Sequence, residues 1–245
     1  MRQLLIINPN TSPSVSALLQ NHAQMAAGPQ VQVRTVTARF GAPYIADEAS
    51  YAVAGHAALD AWAAALADQA AAPDAVLVGC FGDPGLWALR ETSVAPVTGL
   101  AEAAFTEAEQ HGRFAIVTGG DRWKPMLVRL AQALGFDAAL AGIHTVAPTG
   151  AQLAQDPAAA QSLLAQACQQ AAQAFGAQAI VLGGAGLAGM AAAIQPLVPL
   201  PVIDSVGAGV RQAVLRMGQA VPHATGRFDA SWRNLSTEMA ALGLP

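Results

Sequence analysis

The chain has 245 residues, of which 53% are hydrophobic and 11% are charged, and its formal net charge at pH 7 is −4. This length suffices for one large or two small domains, and a mildly acidic chain without a basic cluster is not expected to bind nucleic acid. Glycines and prolines interrupt the most apolar stretch, residues 179–203, which argues against a membrane-spanning helix. The N-terminus enters a strand-like run without a signal-peptide cleavage region, so we expect a cytoplasmic protein.

In chain order, short apolar runs alternate with longer Ala-rich segments, which is typical of a mainly parallel sheet with helices on both faces. The apolar runs predict strands at residues 4–7, 31–37, 75–78, 114–117, 142–146, 179–182 and 202–203. The Ala-rich segments predict helices at residues 13–25, 49–71, 84–91, 98–110, 123–134, 157–175 and 207–217. A final helical segment at about residues 229–242 is expected to pack against the first half of the chain.

The two halves of the chain resemble each other in three places that occur in the same order and at a nearly constant offset, which indicates a duplicated α/β unit. We therefore predict an α/β fold with two pseudo-symmetric parallel-sheet lobes, residues 1–98 plus 206–245 and residues 99–205. Ligands of such folds bind beyond the carboxyl ends of the strands, so we expect the active site in the cleft between the lobes. The matching pairs are Leu4-Leu-Ile-Ile-Asn-Pro-Asn10 with Phe114-Ala-Ile-Val-Thr-Gly-Gly120, Ala75-Val-Leu-Val-Gly-Cys80 with Ala179-Ile-Val-Leu-Gly-Gly184, and Ala95-Pro-Val-Thr-Gly99 with Leu200-Pro-Val-Ile-Asp204.

Cys80 follows the third predicted strand and begins a glycine-rich turn, Cys80-Phe-Gly-Asp-Pro-Gly85. In this turn Asp83 is predicted to cap the following helix, and Pro84 to be its first residue. The partial positive charge of that helix N-terminus would favour the thiolate, which makes Cys80 a candidate catalytic acid, base or nucleophile. The alternative is a small buried residue at a strand end, where cysteines outside disulfides are commonly found.

Polar residues also follow the first and fourth predicted strands. Asn10 and Thr11 could present an amide and a hydroxyl to the polar rim of a substrate, and Thr118 with the Gly119 amide could do so in the second half. Ordinary helix capping is the alternative for such residues at a strand-to-helix turn. Ile45 lies on a predicted loop of the kind that covers clefts, so it is a candidate for shaping the substrate's side-chain pocket.

Six motifs are spread over nearly the whole chain: Ile7-Asn-Pro-Asn-Thr-Ser12, Cys80-Phe-Gly-Asp-Pro-Gly-Leu86, Arg90-Glu91, Phe114-Ala-Ile-Val-Thr118, Leu182-Gly-Gly-Ala-Gly186 and Pro201-Val-Ile-Asp204. In combination they resemble the hydantoin racemase branch of the Asp/Glu racemase superfamily. The resemblance implies an enzyme that needs neither a metal nor an organic cofactor and inverts the carbon next to a carbonyl in hydantoins, including allantoin, or in related amino-acid substrates. Its expected partner is a small carbonyl or carboxylate compound, and since relatives commonly assemble, a homo-oligomer is also expected.

The family mechanism implied by this resemblance uses two cysteines. One thiolate removes the α-proton from one face of the substrate, and a second thiol returns a proton to the other face. A thiol suits both tasks because its ordinary pKa, about 8.5, is close to neutral pH. Backbone amides near each cysteine position would bind the enolate between the two steps, and the candidates are those of Phe81, Gly82, Asp83, Ala185 and Gly186.

The sequence departs from the family pattern at the second cysteine, because Gly184 stands where that thiol is expected. Cys168 is not a substitute, since it lies within the predicted helix 157–175 and is expected to be a packing residue. Three interpretations remain open. The chain could be a racemase in which water or a neighbouring side chain serves the Gly184 face. It could be a lyase resembling arylmalonate decarboxylase, with one cysteine in the mirrored position, or a binding protein that has lost turnover.

Overall fold

The computed structural model describes residues 1–68, 72–147, 157–222 and 224–244. The chain divides into two compact units, the first formed by Met1–Gly79, Asp83–Gly99 and Val210–Pro245 and the second by Cys80–Gly82 and Leu100–Gly209. Each unit contains a four-stranded sheet in which every pairing is parallel. This arrangement confirms the predicted α/β fold class. No helix within the described ranges is long and apolar enough to cross a membrane.

The first sheet has the spatial order β2-β1-β3-β4. Buried apolar residues form all of β3 and residues 4–7 of β1, as expected for a parallel sheet that is covered by helices on both faces. The carboxyl ends of β1 and β3 therefore carry the chain from the core into the predicted site segments. The elements are β1 (Arg2–Asn8), α1 (Pro13–Ala27), β2 (Val31–Thr37), α2 (Glu48–Ala67), β3 (Ala75–Val78), α3 (Leu86–Thr92) and β4 (Val97–Gly99).

The second sheet repeats this topology with the order β6-β5-β7-β8. Strand β5 pairs with β6 and β7 as β1 pairs with β2 and β3, so the order of the strands supports the predicted duplication. The elements are α4 (Leu100–Glu109), β5 (Phe114–Gly119), α5 (Trp123–Leu134), β6 (Leu140–Val146), α6 (Pro157–Phe175), β7 (Ala179–Gly183), α7 (Met190–Ile194), β8 (Val202–Asp204) and α8 (Ser205–Arg216), followed by α9 (Thr237–Ala241).

The bounds of several predicted helices differ from the structure. The segment predicted as a helix from residue 98 begins instead with β4, because residues 97–99 pair with β3 and the helix starts only at Leu100. The helix predicted for residues 49–71 ends at Ala67, and residues 69–71 lie outside the described part of the chain. The predicted final helix is reduced to α9, which does pack against α2 in the first unit, as expected.

The segment after Cys80 forms a tight turn where a helix start was predicted. Gly85 has φ 83° and ψ 2°, and the Leu86 N–H donates to the Asp83 carbonyl at 3.2 Å. Proline at the second position and glycine at the third, with these angles, define a type II turn, so Pro84 is a turn residue and not the first residue of the helix. The predicted N-cap role of Asp83 is wrong, because the N-cap of α3 is Gly85.

Candidate active site

Cys80 is the second residue after β3. The preceding Gly79 donates its N–H to the Ile7 carbonyl at 2.7 Å, which extends the pairing of β3 with β1. A β-carbon at Gly79 would lie 2.9 Å from Leu19 Cδ1, so a larger residue cannot occupy this position without a shift. The backbone therefore leaves the sheet directly at Cys80.

The two cysteines have different environments. Cys80 retains 7% of its surface, whereas Cys168 lies wholly within the apolar core around α6 and has none. Burial raises the pKa of the Cys168 thiol to about 12, so this group stays protonated near neutral pH. The prediction that Cys168 is a packing residue is confirmed, which leaves Cys80 as the candidate reactive thiol.

Phe81 anchors the turn that carries Cys80 in the second unit. Its ring lies against Gly183 at the end of β7, where an added β-carbon would fall 2.2 Å from Phe81 Cε1. The same ring contacts Phe105 edge to face, with 6.0 Å between the ring centroids. Because this side chain is only 3% exposed, Phe81 can offer a substrate its backbone but not its ring. The next residue, Gly82, has φ 134°, a conformation that favours glycine.

Asp83 is a buried structural residue in the first unit. It is fully buried and adopts φ 54°, which is uncommon for a residue with a side chain. Its carboxyl group occupies the space beside Gly99, at the end of β4. A direct role for this side chain as a general base is disfavoured by its burial, while the predicted contribution of its backbone amide stays a prediction.

Gly184 is the positional counterpart of Cys80 in the second sheet, and it follows β7 directly. It has φ 141° and ψ 131°, and a β-carbon at this position would meet only the Leu187 side chain, at 3.7 Å. There is consequently room beside Gly184 for a small group. A 3₁₀ turn, Ala185–Leu187, follows. The N–H groups of its first two residues, Ala185 and Gly186, have no acceptor within the turn.

A network of buried amides and hydroxyls fixes Asn10 in the first unit. The Asn10 N–H donates to Asn8 Oδ1 at 3.3 Å, which leaves Asn8 Nδ2 to donate to Asn10 Oδ1 at 3.0 Å and to Ser16 Oγ at 2.9 Å. The Ser12 N–H also donates to Asn10 Oδ1, at 2.9 Å. Two donors thus occupy Asn10 Oδ1, and no described residue accepts from Asn10 Nδ2. The sequence places Asn8 at a strand end that contributes to the site, but it does not predict the supporting role of Asn8 or any role of Ser16. An asparagine ending a buried strand is a signal of such a network.

The remaining predicted residues are divided between the units. In the first unit, Thr11 donates its N–H to the Ala42 carbonyl at 3.1 Å, and Ile45 is 3% exposed. In the second unit, Thr118 and Gly119 are the last residues of β5, so they belong to the sheet and not to the predicted turn. Substrate contacts by these four residues stay predictions. The described part of the chain contains no group of three or more metal-binding side chains.

The chain is similar to known racemases over nearly its whole length. The family profile described as Asp/Glu/Hydantoin racemase matches residues 4–213. A hydantoin racemase from Pseudomonas sp. (strain NS671) is 31% identical over 212 residues, which is 86% of this chain and 84% of that protein. The structure of allantoin racemase from Klebsiella pneumoniae has a TM-score of 0.88 and 30% identity, and covers 99% of both chains. Unliganded arylmalonate decarboxylase shares the fold, with a TM-score of 0.61 and 18% identity over 90% of this chain and 94% of that one.

Proposed function

Because the chain belongs to the Asp/Glu/hydantoin racemase family, we propose that it inverts the configuration of a hydantoin, or of a related amino-acid derivative, at the carbon next to the carbonyl. The position of Cys80 carries this proposal. It is the cysteine that keeps exposed surface, and it stands at the carboxyl end of a central parallel strand, where ligands of such sheets bind.

In the first step, the Cys80 thiolate takes the α-proton of the substrate and becomes a thiol. The electron pair of the broken C–H bond moves into the adjacent carbonyl, which becomes an enolate. Proton transfer by a positioned side chain is efficient when its pKa lies near the working pH, and thiols as a class meet this condition. No metal or organic cofactor is required for a carbon acid of this kind.

The enolate oxygen needs donors that bind it more strongly than they bind the ground-state carbonyl. The amides of Ala185 and Gly186 are suitable, because they begin a 3₁₀ turn whose hydrogen bond, from the Leu187 N–H to the Gly184 carbonyl, does not use them. On the other turn, the amides of Phe81 and Gly82 stay proposed donors. The glycines allow close approach of the backbone to a planar substrate.

In the second step, a proton reaches the opposite face of the enolate. Gly184 carries no acid, so we infer that a water molecule donates this proton. The room for a β-carbon at Gly184 supports this inference, since such an atom would meet the Leu187 side chain at an ordinary contact distance of 3.7 Å. The hydroxide left behind recovers the proton that Cys80 holds, through solvent, and the enzyme returns to its starting state.

Exchange with deuterated water tests the proposal. Single-enantiomer hydantoins are incubated with the protein, and α-substituted malonates are incubated separately. Deuterium entry with loss of optical rotation supports the racemase. Release of carbon dioxide with a product of one handedness would instead identify the lyase predicted as the alternative, and binding without turnover would identify a binding protein. Cys80→Ala is expected to abolish turnover, while the matched control Cys168→Ala retains it.

A further inference from the structure

Two consecutive residues, Asp204 at the end of β8 and Ser205 at the start of α8, bind the two ends of the segment 184–189. The Gly184 N–H donates to Ser205 Oγ at 3.3 Å, and the Gly189 N–H donates to Asp204 Oδ2 at 2.8 Å. The other oxygen of the same carboxylate, Asp204 Oδ1, accepts from the Gly207 N–H at 2.8 Å in the first turn of α8. All of these residues belong to the second unit.

Apart from these bonds, the segment is held by the side chain of Leu187, which is 3% exposed and packs in the apolar core of the second unit. Its terminal residues, Gly184 and Gly189, have φ 141° and 82°, and neither has a side chain that could restrict the backbone. Inside the segment, the Leu187 N–H donates to the Gly184 carbonyl at 2.9 Å, and a longer bond of 3.4 Å closes from Ala188 to Ala185. These bonds shape the turn but do not attach it to the sheet. The hydrogen bonds that attach its two ends come from Asp204 and Ser205.

The internal duplication places a carboxylate at the corresponding position of the first unit. Gly99 ends β4 as Asp204 ends β8, since Gly99 pairs with Val78 and Asp204 pairs with Leu182 at matching positions of the neighbouring strands. Gly99 has no side chain, and the Asp83 carboxyl group fills the space beside it. In the first unit the carboxyl group belongs to Asp83, in the turn after β3, and in the second unit it belongs to Asp204, at the end of β8. In both units it lies between the turn after the third strand and the end of the fourth strand.

We propose that Asp204 and Ser205 are positioning residues that hold the segment 184–189 for protonation of the substrate face opposite Cys80. This proposal rests on the proposed racemase function. Neither residue has to touch the substrate. Asp204 and Ser205 set the direction of the Ala185 and Gly186 amides and the space beside Gly184, which together govern how readily the second proton arrives.

The ratio of the two products formed from the enolate distinguishes a positioning role from a contribution to folding alone. After Cys80 has taken the α-proton in deuterated water, its S–H exchanges with the solvent. The enolate then either receives a deuteron from Cys80, which gives exchange with retention, or receives one at the other face, which gives inversion. Their ratio is a property of each folded molecule and does not depend on how much of the sample is folded. Weaker binding of the enolate slows both outcomes equally, because the enolate precedes both. Loss of positioning beside Gly184 slows protonation of that face alone, so the ratio of retention to inversion rises.

Asp204→Asn keeps the size of the side chain but places an amide N–H₂ group against a backbone donor. Ser205→Ala removes the hydroxyl group, and Ser205→Thr is the conservative substitution that keeps it. Gln195→Ala is the matched control. It removes a bond in which Gln195 Oε1 accepts from the Val202 N–H at 2.9 Å, at the other end of β8. Each protein is given the substrate enantiomer whose proton Cys80 removes, and the deuterated enantiomers are separated and counted.

We expect the ratio of retention to inversion to rise about tenfold in Asp204→Asn and Ser205→Ala, to recover in Ser205→Thr and to stay at the wild-type value in Gln195→Ala. An unchanged ratio in both variants, with a wild type that inverts the substrate, overturns the positioning role and leaves the racemase function standing. A wild type that inverts no hydantoin overturns the proposed function, and the positioning role with it.

Discussion

The Asp83 carboxyl group fills the space in which a side chain at Gly99 would stand, since a β-carbon built on Gly99 falls 2.1 Å from Asp83 Cγ and 2.1 Å from Asp83 Oδ2. Asp83 cannot easily withdraw, because it is fully buried and held at φ 54° by the turn that it shares with Pro84 and Gly85. The turn after β3 therefore packs closely against the end of β4 through Asp83 and Gly99. This fit explains why residue 99 is a glycine even though its strand would favour a larger residue.

We expect Gly99→Ala to lower the free energy of unfolding by about 3 kcal/mol, because the methyl group forces a buried carboxylate out of its place. Gly55→Ala is the matched control. A β-carbon at Gly55 meets nothing closer than Gly85 N at 3.6 Å, and the residue lies inside α2, so alanine should stabilise the protein by up to about 1 kcal/mol. Urea unfolding measures both changes. Equal stability of the two variants would contradict the fit.

The sequence predicts β2 and β3 with their observed bounds. It does so because buried parallel strands are continuous apolar runs. The helical start predicted at Pro84 failed for a local reason. Proline followed by glycine satisfies a type II turn as well as a helix start, and the neighbouring strand decides between them. Strand β4 was missed because three residues are too few to show a period, and its pairing with β3 is a tertiary contact.

The candidate site could be predicted in part. Cys80, Asn10 and Gly184 follow strands, where the fold places ligands, so their positions were accessible from the pattern. The supporting residues were not accessible, because Asn8 and Ser205 act through hydrogen bonds that only the folded chain brings together. A single sequence does not show which residue will form a hydrogen bond with a distant site residue.

The two thiols should differ in reactivity. Iodoacetamide at pH 8 is expected to label Cys80 in the native protein and to leave Cys168 unmodified, since Cys168 has no exposed surface and burial raises its pKa to about 12. Mass spectrometry of the digested protein locates the label, and urea-unfolded protein, in which both thiols react, is the control. Native labelling of Cys168 in preference to Cys80 would reverse the assignment of the reactive thiol.

Gly184→Cys should restore a proton donor on the second face and raise the rate of inversion. The structure adds an expected penalty, because φ 141° is unfavourable for any residue with a β-carbon and costs about 1–3 kcal/mol if the turn does not relax. Gly184→Ala carries the same penalty without the thiol, so it is the matched control. We expect both variants to lose stability to a similar extent and only the cysteine variant to gain inversion. A wild type that already inverts rapidly, and is slowed by the new thiol, would contradict this role.

Asn10→Asp tests the orientation that the buried network gives to Asn10. Because Oδ1 already accepts from Asn8 Nδ2 and from the Ser12 N–H, the amide N–H₂ group is the part that remains for a substrate oxygen. Aspartate replaces that donor with an acceptor, so KM should rise about tenfold to a hundredfold, while kcat changes less. Gln20→Glu is the control, since Gln20 makes comparable bonds to the backbone of β2. A similar rise in KM for both variants would argue against a substrate contact by Asn10.

The ion pairs of Arg39 predict how one part of the stability depends on pH. Asp60 is almost fully buried, and burial raises its pKa, but the hydrogen bonds from Arg39 and Ser236 outweigh this effect and hold the pKa below its ordinary value. Arg39 bonds both oxygens of Asp60, at 2.7 and 2.8 Å, and also binds Glu238 of α9 at 2.8 Å. These contacts attach the C-terminal helix to α2.

A carboxyl group whose pKa is lowered by folding stabilises the native state above its unfolded pKa, and this contribution is lost as the pH falls through the folded pKa. Asp60→Asn should therefore lower the free energy of unfolding by about 2 kcal/mol at pH 7, where Asp60 is charged. The difference from wild type should begin to shrink as the pH falls below about 4, where Asp60 of the unfolded chain takes up a proton, and should be lost as the pH falls through the lower pKa of native Asp60. Urea unfolding at pH 7, 5 and 3 measures this difference, with Arg34→Gln as the control because its pair with Asp68 is exposed and longer, at 3.4 Å. A gap that stays constant down to pH 3 would show that the charge of Asp60 contributes nothing to the attachment.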